Sequence, residues 1–185
     1  MVRDVIAEVY PWETRVGIIE DDRLVELFWT DKKECIGNIY KASVKDVLPG
    51  LSCAFVDIGL AKNAFLYLGD VVAKPGTAAN LKSGQEIMVQ VKKEAFSEKG
   101  ARVTGYVTLP GHFLVLLPFQ NEICVSRKII GDQKRDELRA LIEAHLPENI
   151  GSIIRTSCYK ADHKDILNEL EQLLRLWDNI LHKFS

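Results

Sequence analysis

Residues 53–68, CAFVDIGLAKNAFLYL, decide the fold prediction for this chain. Within them, AFVDIG and NAFLYL have the length and the Val, Phe and Tyr content that favour short β-strands. Asp57 and Gly59 are residue types that shape a tight turn between such strands. Phe55 and Phe65 flank this turn ten residues apart. We therefore expect two neighbouring strands, each of which carries an aromatic ring.

Similar runs continue on both sides of this pair. The strand candidates are GNIYKASVKDVLPG, which ends at the turn signal Pro49-Gly50, and then EIMVQVKKE, RVTGYVTL and HFLVLLP. The polar stretch KPGTAANLKSG, residues 74–84, is predicted to be a loop. Residues 36–110 are therefore predicted to form a compact all-β module of about five strands. A small closed barrel suits such short strands, because an open sheet would leave its edges exposed.

The segments outside the module combine strands with helices. Before it, VIAEVY, RVGIIE and RLVELFW favour strands, with Asp21-Asp22 at a hairpin turn. After it, ICVS and GSIIRTS favour strands, and GDQKRDELRALIEAHLP has helical periodicity with Asp132 as its N-cap. A last helix is predicted from Asp162 to Phe184, with a wide apolar stripe that must be buried. The fold class is therefore α+β, mainly β, with the barrel inserted into a layer whose N- and C-terminal parts pack together.

The composition is that of a soluble globular protein and excludes several classes. The 185 residues are 47% hydrophobic and 27% charged, with a net charge of −2. No apolar run approaches the roughly 20 residues that a membrane-spanning segment needs, and the N-terminus alternates like a strand, unlike a signal peptide. The four cysteines lie far apart without a CxxC pair. This spacing argues against a disulfide framework or a zinc knuckle, and reduced thiols predict a cytoplasmic protein.

Charge is distributed unevenly along the chain. Residues 36–110 contain nine lysines and arginines against six acids, a local net charge of +3, whereas the remainder carries −5. A basic module in an otherwise acidic chain favours a polyanionic partner. Phe55 and Phe65 beside Lys99 combine stacking surfaces with a cation, as single-stranded nucleic acid requires. The alternative is that both rings are core residues, because phenylalanine is commonly buried.

Longer blocks of the sequence resemble the N-terminal region of the ribonuclease E/G family. They are GNIYKASVKDVLPGLSCAFVDIGLAKNAFLYLGD, LKSGQEIMVQVKKEAFSEKGARVTGYVTLPGHFLVLLP, VSRKI, GSIIRTS and LNELEQLLRLWDNI, and together they cover essentially the whole chain in order. The resemblance implies an OB-fold barrel of the ribosomal S-one type at residues 36–110. It also implies a ribonuclease-H-like α/β subdomain, of which residues 1–35 are the first part and residues 111–185 the second. The implied parent is a single-strand-specific endoribonuclease that acts in RNA processing and decay.

The resemblance also implies two sets of binding residues. In the family, the positions that match Phe55, Phe65 and Lys99 line the RNA channel. A pocket that recognises a 5′-monophosphate end matches Gly111, Val115, Arg127, Arg155 and Thr156. The residue types suit this chemistry, because an arginine fork and a hydroxyl bind phosphate oxygens and glycine allows a close approach. Without the resemblance, a structural salt bridge is the commoner role of an arginine such as Arg155.

The resemblance further implies where cleavage takes place. In the family, a catalytic aspartate pair with Mg²⁺ lies in a deoxyribonuclease-I-like subdomain that follows the region present here, and so does the cysteine pair that links subunits through zinc. We therefore expect no catalytic residue, no bound metal and no cleavage activity in this chain alone, and a homo-oligomer for the full-length protein. An alternative catalytic set is formed by strand-associated acids, in which Glu8 and Glu20 would be neighbours on adjacent strands. The members of this set are Asp4, Glu8, Glu20 and Asp57.

Two other functions fit the same residues. A free-standing, non-enzymatic RNA-binding or adaptor protein would keep only the part of the fold that grips RNA. A protein-interaction domain would use the phenylalanine pair as its interface. Salt dependence separates the RNA-binding functions from the last, because phosphate-driven binding weakens steeply as salt rises.

Overall fold

The structure is a computed structural model that describes residues 3–10, 13–31, 35–72 and 81–185. The chain divides into two units, residues 1–36 and residues 37–185. Most of the predicted loop at residues 74–84 lies outside the described residues. Within the described ranges, no helix combines the length and the apolar character needed to cross a membrane.

The first unit is a three-stranded antiparallel sheet in the order β1-β2-β3. Its strands are β1 (Arg3–Val9), β2 (Glu13–Glu20) and β3 (Arg23–Asp31). Asp21 and Asp22 join β2 to β3 with φ angles of 46° and 63°. Positive φ at both central residues is the geometry of a two-residue hairpin turn whose twist matches the strands. The predicted turn is confirmed.

The register of this sheet corrects one expectation about its acids. Glu8 lies opposite Arg15, whereas Glu20 lies opposite Arg3 and forms an ion pair with it at 2.9 Å. Five residues of β1 separate the two pairs, which is about 17 Å along a strand. The expectation that Glu8 and Glu20 are neighbours is therefore wrong, because strand pairing places an arginine opposite each carboxylate.

The second unit begins with a closed five-stranded barrel, as predicted. Its strands pair in the order β4-β5-β6-β8-β7, and β7 pairs with β4 to close the barrel. Val56, Leu66, Val89 and Val103 are completely buried in its interior. A 3-10 turn at Pro49–Leu51 follows β4 at the predicted turn signal. The strands are β4 (Ile39–Leu48), β5 (Cys53–Asp57), β6 (Ala64–Tyr67), β7 (Glu86–Lys93) and β8 (Arg102–Thr104).

The rest of this unit is a four-stranded sheet with two helices. The sheet has the order β11-β12-β10-β9, in which β10 is antiparallel to β12 and β11 is parallel to it. These elements are β9 (Leu109–Pro110), β10 (Leu114–Leu117), β11 (Ile123–Val125), α1 (Asp132–Glu143), β12 (Gly151–Ile154) and α2 (His163–Phe184). The molecule is therefore mainly β with two helices, which agrees with the α+β prediction.

The two helices begin differently from each other. Asp162 is the N-cap of α2, as predicted, whereas the N-cap of α1 is Gly131 and Asp132 is its first helical residue. Gly131 has a φ of +94°, a conformation that an aspartate side chain disfavours, so the predicted cap is wrong by one position.

The apolar stripe of α2 is buried from Ile166 to Trp177, as predicted, whereas Leu181 near its end is 40% exposed. Ile166, Leu170, Leu173 and Trp177 belong to one core cluster that also includes residues of β10 and α1. Trp177 packs edge-on against Phe119 with ring centroids 5.3 Å apart. Burying each such side chain contributes roughly 1.5–3 kcal/mol. The helices thereby cover one face of the sheet and fix the loops at its edge.

Candidate nucleic-acid interface

Two aromatic residues of neighbouring barrel strands lie on the outside of the barrel. Phe55 of β5 and Phe65 of β6 lie directly opposite each other in the sheet. Their sequence neighbours Val56 and Leu66 point inward and are completely buried, whereas both phenylalanines are only partly buried. Successive side chains of a strand point to opposite faces, so a buried neighbour places each ring outside. The structure therefore does not place this pair in the barrel core.

Tyr67 extends this aromatic surface. The Phe55 and Phe65 rings are 6.0 Å apart at 77°, and the Phe65 and Tyr67 rings are 4.6 Å apart at 85°. The guanidinium carbon of Arg102 lies 4.5 Å from the centre of the Tyr67 ring. Sequence reasoning missed Tyr67 and Arg102. The two-residue spacing from Phe65 to Tyr67 places them on one strand face, and this signal was available in the sequence.

These residues line a cavity of about 890 Å³, which we call the barrel groove. It brings Phe55 and Phe65 together with Lys99, as the sequence predicted for an RNA-binding surface. Four cations and one acid line the groove, which makes its charge strongly positive. Besides the two phenylalanines, the lining residues are Lys62, Asn63, Tyr67, Lys93, Glu98, Lys99, Gly100 and Arg102.

Two of these cations are engaged within the protein. Lys62 contacts Glu98 at 3.0 Å, and Arg102 lies 3.7 Å from Asp70. Within the described ranges, Lys93 and Lys99 take part in no ion pair, and both are exposed. Their ammonium groups are therefore available to an external anion.

The position of Lys99 depends on a tight turn and on the next residue. Phe96 and Lys99 exchange two backbone hydrogen bonds of 3.0 Å. A Cβ on Gly100 would lie 2.0 Å from the carbonyl oxygen of Asn63. Glycine at this position lets the Lys99 turn approach the loop between β5 and β6. This close approach places the Lys99 side chain beside the two aromatic strands.

Asp57 shapes the turn after β5, as predicted. Its Oδ1 accepts a hydrogen bond of 2.9 Å from the backbone N–H of Gly59, which has a φ of +79°. This hydrogen bond is the main reason that the pKa of Asp57 lies below its usual value. The Lys45 ammonium, 3.2 Å from Oδ2, lowers the pKa further. The carboxylate is thus committed to the turn and to a lysine.

A second candidate site lies at one edge of the four-stranded sheet. Because β10 is antiparallel to β12 and β11 is parallel to it, the start of β10 meets the ends of β11 and β12. Gly111 precedes β10, and Val115 is the second residue of that strand. The remaining three predicted pocket residues follow the other two strands at the same edge: Arg127, Arg155 and Thr156.

Direct contacts join several of these residues. The Nη1 of Arg155 donates a short hydrogen bond to the carbonyl oxygen of Gly111. The hydroxyls of Thr156 and Ser126 are 3.0 Å apart, and Ser126 immediately precedes Arg127. Arg127, Arg155 and Thr156 are all exposed. In the part of the chain that the structure describes, no carboxylate forms an ion pair with Arg155, so no partner is found there for a structural salt bridge.

Glu169 of α2 organises the loop between β9 and β10, a role that sequence reasoning missed. Its Oε2 accepts the backbone N–H of His112 at 2.7 Å. Its Oε1 accepts those of Phe113 at 2.7 Å and Leu114 at 2.8 Å. A Cβ on Gly111 would lie 2.5 Å from Oε1. The glycine therefore makes room for this carboxylate, which holds the loop that carries the pocket.

Cys158 lies in the protein interior beneath this edge of the four-stranded sheet. Its side chain is buried, and its Sγ donates a hydrogen bond of 3.2 Å to the carbonyl oxygen of Phe113. Burial raises the pKa of the thiol to about 11. The thiol is therefore protonated at neutral pH and is a poor nucleophile.

The described residues do not form a metal centre. No group of three or more His, Cys, Asp or Glu side chains within the described ranges is placed to hold a metal ion. The described residues therefore do not fit the Mg²⁺ that the family resemblance implies for the longer family members.

Comparison with known proteins points to one family. Residues 108–185 match the model of the ribonuclease E/G family. The chain is 38% identical to Ribonuclease G of Haemophilus influenzae over 98% of this chain and 40% of that protein. It is 33% identical to Ribonuclease G of Escherichia coli over 99% of this chain and 41% of that protein. Ribonuclease E of a Nostoc species is 36% identical over 89% of this chain and 25% of that protein.

The chain thus spans about two fifths of the length of the Ribonuclease G proteins that it matches. The similarity runs through both the barrel groove and the edge of the four-stranded sheet. Together with the family match, it makes the chain similar to the ribonuclease E/G family, by the family model over residues 108–185 and by Ribonuclease G over nearly the whole chain.

Proposed function

We propose that this chain is the RNA-binding and 5′-monophosphate-sensing region of a ribonuclease E/G-type endoribonuclease. Its substrate is single-stranded RNA, preferably with a 5′-monophosphate, and its setting is cytoplasmic RNA processing and decay. The observation that carries the proposal is the barrel groove, in which Phe55, Phe65 and Tyr67 lie beside Lys93 and Lys99. The barrel corresponds to an OB-fold of the ribosomal S-one type. Residues 1–35 and 111–185 correspond to a ribonuclease-H-like subdomain.

The barrel groove holds single-stranded RNA by two physical effects. Bases stack on the exposed faces of Phe55 and Phe65, and each stacked base contributes about 1–3 kcal/mol without requiring a particular sequence. Lys93 and Lys99 neutralise backbone phosphates and release counterions. A base-paired strand cannot offer its faces in this way, which accounts for the selection of single strands.

The residues at the edge of the four-stranded sheet bind the 5′ end of the RNA. Arg155 has further N–H groups beside the one that it donates to Gly111, and a guanidinium binds two phosphate oxygens with its planar fork. Arg127 adds a second positive charge, and the Thr156 hydroxyl adds a donor. Val115 supplies an apolar wall for the terminal base. A 5′-hydroxyl end offers no charge to these arginines and binds less tightly.

Binding is tested with this chain and a fluorescent single-stranded RNA. Phe55→Ala is expected to weaken binding by about 1–3 kcal/mol, the contribution of one stacked base. Leu51→Ala is the matched control, because Leu51 is 72% exposed and does not line the groove. A loss of the folding transition in Phe55→Ala, or unchanged affinity, contradicts the proposal.

The contribution of charge is tested by varying salt. Lys99→Ala is expected to make the salt dependence weaker: the magnitude of the slope of log affinity against log salt should fall by about 0.7, the value for one phosphate contact in a single strand. Lys82→Ala is the control, because Lys82 is exposed on the same barrel outside the groove. Binding that depends neither on salt nor on Phe55 would favour a protein-interaction domain.

End sensing and cleavage have separate tests. Arg155→Ala is expected to remove the preference for a 5′-monophosphate over a 5′-hydroxyl RNA. We also propose that this chain binds RNA without cutting it, and that Mg²⁺-dependent cleavage and homo-oligomer formation belong to the longer protein. Specific cleavage of a 5′-monophosphorylated RNA in Mg²⁺, surviving repeated purification of this chain, would contradict that part.

A further inference from the structure

A separate cavity adjoins the proposed 5′-phosphate site, and we call it the Tyr159 cavity. It has a volume of about 380 Å³ and lies between two segments at the edge of the four-stranded sheet. One segment joins β11 to α1, and the other is the 3-10 turn Thr156–Lys160 after β12. The lining residues are Lys128, Ile130, Thr156, Ser157, Tyr159 and Lys160.

This cavity is continuous with the proposed site for the 5′ end. Thr156 belongs to both, and Lys128 directly follows Arg127 in the chain. The Thr156 hydroxyl contacts Ser126 at 3.0 Å, which ties the two segments together at this point. A strand of RNA whose 5′-phosphate is bound at Arg127 and Thr156 therefore has a recess directly beside its first phosphate.

The exposed groups of the Tyr159 cavity are cationic or apolar. Lys128 and Lys160 are exposed, and no carboxylate is among the described residues that line the cavity. Ile130 is 82% exposed and Tyr159 is 47% exposed. Ile130 and Tyr159 thus form an exposed apolar surface beside two lysines that have no ion-pair partner among the described residues, and this surface is open to a ligand.

Of the three hydroxyl groups of the cavity, that of Ser157 is used within the fold, and that of Thr156 contacts Ser126 and belongs to the proposed site for the first phosphate. Ser157 donates a hydrogen bond of 2.6 Å to the carbonyl oxygen of His112, and Thr156 pairs with Ser126. An occupant therefore contacts mainly two ammonium groups, an aromatic ring and an aliphatic side chain. A nucleotide matches this combination, since its base packs against apolar and aromatic surfaces and its phosphate pairs with lysine.

We propose that the Tyr159 cavity binds the second nucleotide of a single-stranded RNA, with its base against Tyr159 and Ile130 and its flanking phosphates at Lys128 and Lys160. This inference rests on the proposed function, because the first phosphate sets the register of the strand. It adds a base contact to the recognition of the 5′ end. The protein thereby recognises a short single-stranded segment at the 5′ end of the RNA as well as the charge of the terminal phosphate.

The test compares Tyr159→Ala with Tyr159→Phe on a short 5′-monophosphorylated RNA. Tyr159→Ala is expected to weaken binding at least 5-fold, whereas Tyr159→Phe retains the ring and the affinity. The same measurement is made with an RNA that lacks the base at its second position. On this abasic RNA the wild-type protein is expected to bind more weakly, and Tyr159→Ala is expected to add no further loss.

The lysines are tested by the salt dependence of the same binding. Lys128→Gln and Lys160→Gln are each expected to reduce the magnitude of the slope of log affinity against log salt by about 0.7. Lys183→Gln is the control, since Lys183 is exposed on the last turn of α2 and does not line this cavity.

Failure of this inference is distinguishable from failure of the proposed function. If the preference for a 5′-monophosphate persists and still requires Arg155, but Tyr159→Ala binds as tightly as wild type, the second-nucleotide site is refuted. The same conclusion follows if Tyr159→Ala weakens binding of intact and abasic RNA equally. If no RNA preference for a 5′-monophosphate exists in the wild type, the proposed end-sensing function fails.

Discussion

Replacing Glu169 with alanine is expected to loosen the loop that carries the proposed 5′-phosphate pocket. The carboxylate accepts three backbone N–H groups, from His112, Phe113 and Leu114, at 2.7, 2.7 and 2.8 Å. A hydrogen bond to a charged group contributes about 1.5–3 kcal/mol. His112 is exposed, so water replaces its bond, and the two remaining bonds predict a loss of about 3–6 kcal/mol in the free energy of unfolding.

Urea unfolding followed by helical circular dichroism measures this loss. Glu171→Ala is the matched control, because Glu171 lies on the same helix and only pairs with Arg175 at the surface. Such an exposed pair contributes about 0.5 kcal/mol or less. Glu169→Gln keeps an oxygen acceptor but turns an amide N–H group toward one backbone donor, so an intermediate loss is expected.

A double-mutant cycle with Gly111 isolates the steric part of the argument. Gly111→Ala places a Cβ 2.5 Å from the Glu169 carboxylate and is expected to be destabilising by itself. Once Glu169 is alanine, the added methyl group meets no carboxylate, so Gly111→Ala should then cost much less. The reasoning is refuted if the losses in the free energy of unfolding caused by Glu169→Ala and Gly111→Ala simply add in the double variant. It is also refuted if Glu169→Ala is as stable as Glu171→Ala.

Three further predictions concern groups away from this loop. The pKa of Asp57 is lowered in the folded protein, so its stabilising contribution is present above the unfolded pKa and is lost as pH falls through the folded one; Asp57→Asn should flatten the acid side of the stability curve, and an unchanged acid side would contradict this. The thiol of Cys158, with a pKa of about 11, should react with a thiol reagent at pH 8 only after unfolding, whereas the exposed Cys124 reacts at once; rapid labelling of Cys158 on the folded chain, located by peptide mapping, would contradict this. Ile142→Ala empties a completely buried position of α1 and should cost about 2–5 kcal/mol in urea unfolding; a loss below 1 kcal/mol would place Ile142 outside the core.

The elements that could be predicted are those whose signal is local. Three such elements depend on residues that are close together in the sequence. They are the Asp21-Asp22 turn, the Asp57–Gly59 turn and the apolar stripe of α2. Side-chain period and turn chemistry act at this range, so the sequence carries them directly. The outward position of Phe55 and Phe65 required the barrel, because alternation alone does not say which face of a strand is the interior.

By itself, the sequence determined the barrel strands, the two helices and the combination of Phe55 and Phe65 with Lys99, whereas the residues proposed to bind the 5′-phosphate came from the family resemblance. The tertiary structure alone decided which of those residues meet. Glu169 reaches the backbone of residues 112–114 across more than fifty positions of chain, and Arg102 lies against Tyr67 only because β8 pairs in parallel with β6. The Tyr159 cavity likewise exists only because parallel β11 and β12 end at the same edge. Such contacts depend on packing between distant segments, and no periodicity in the sequence encodes them.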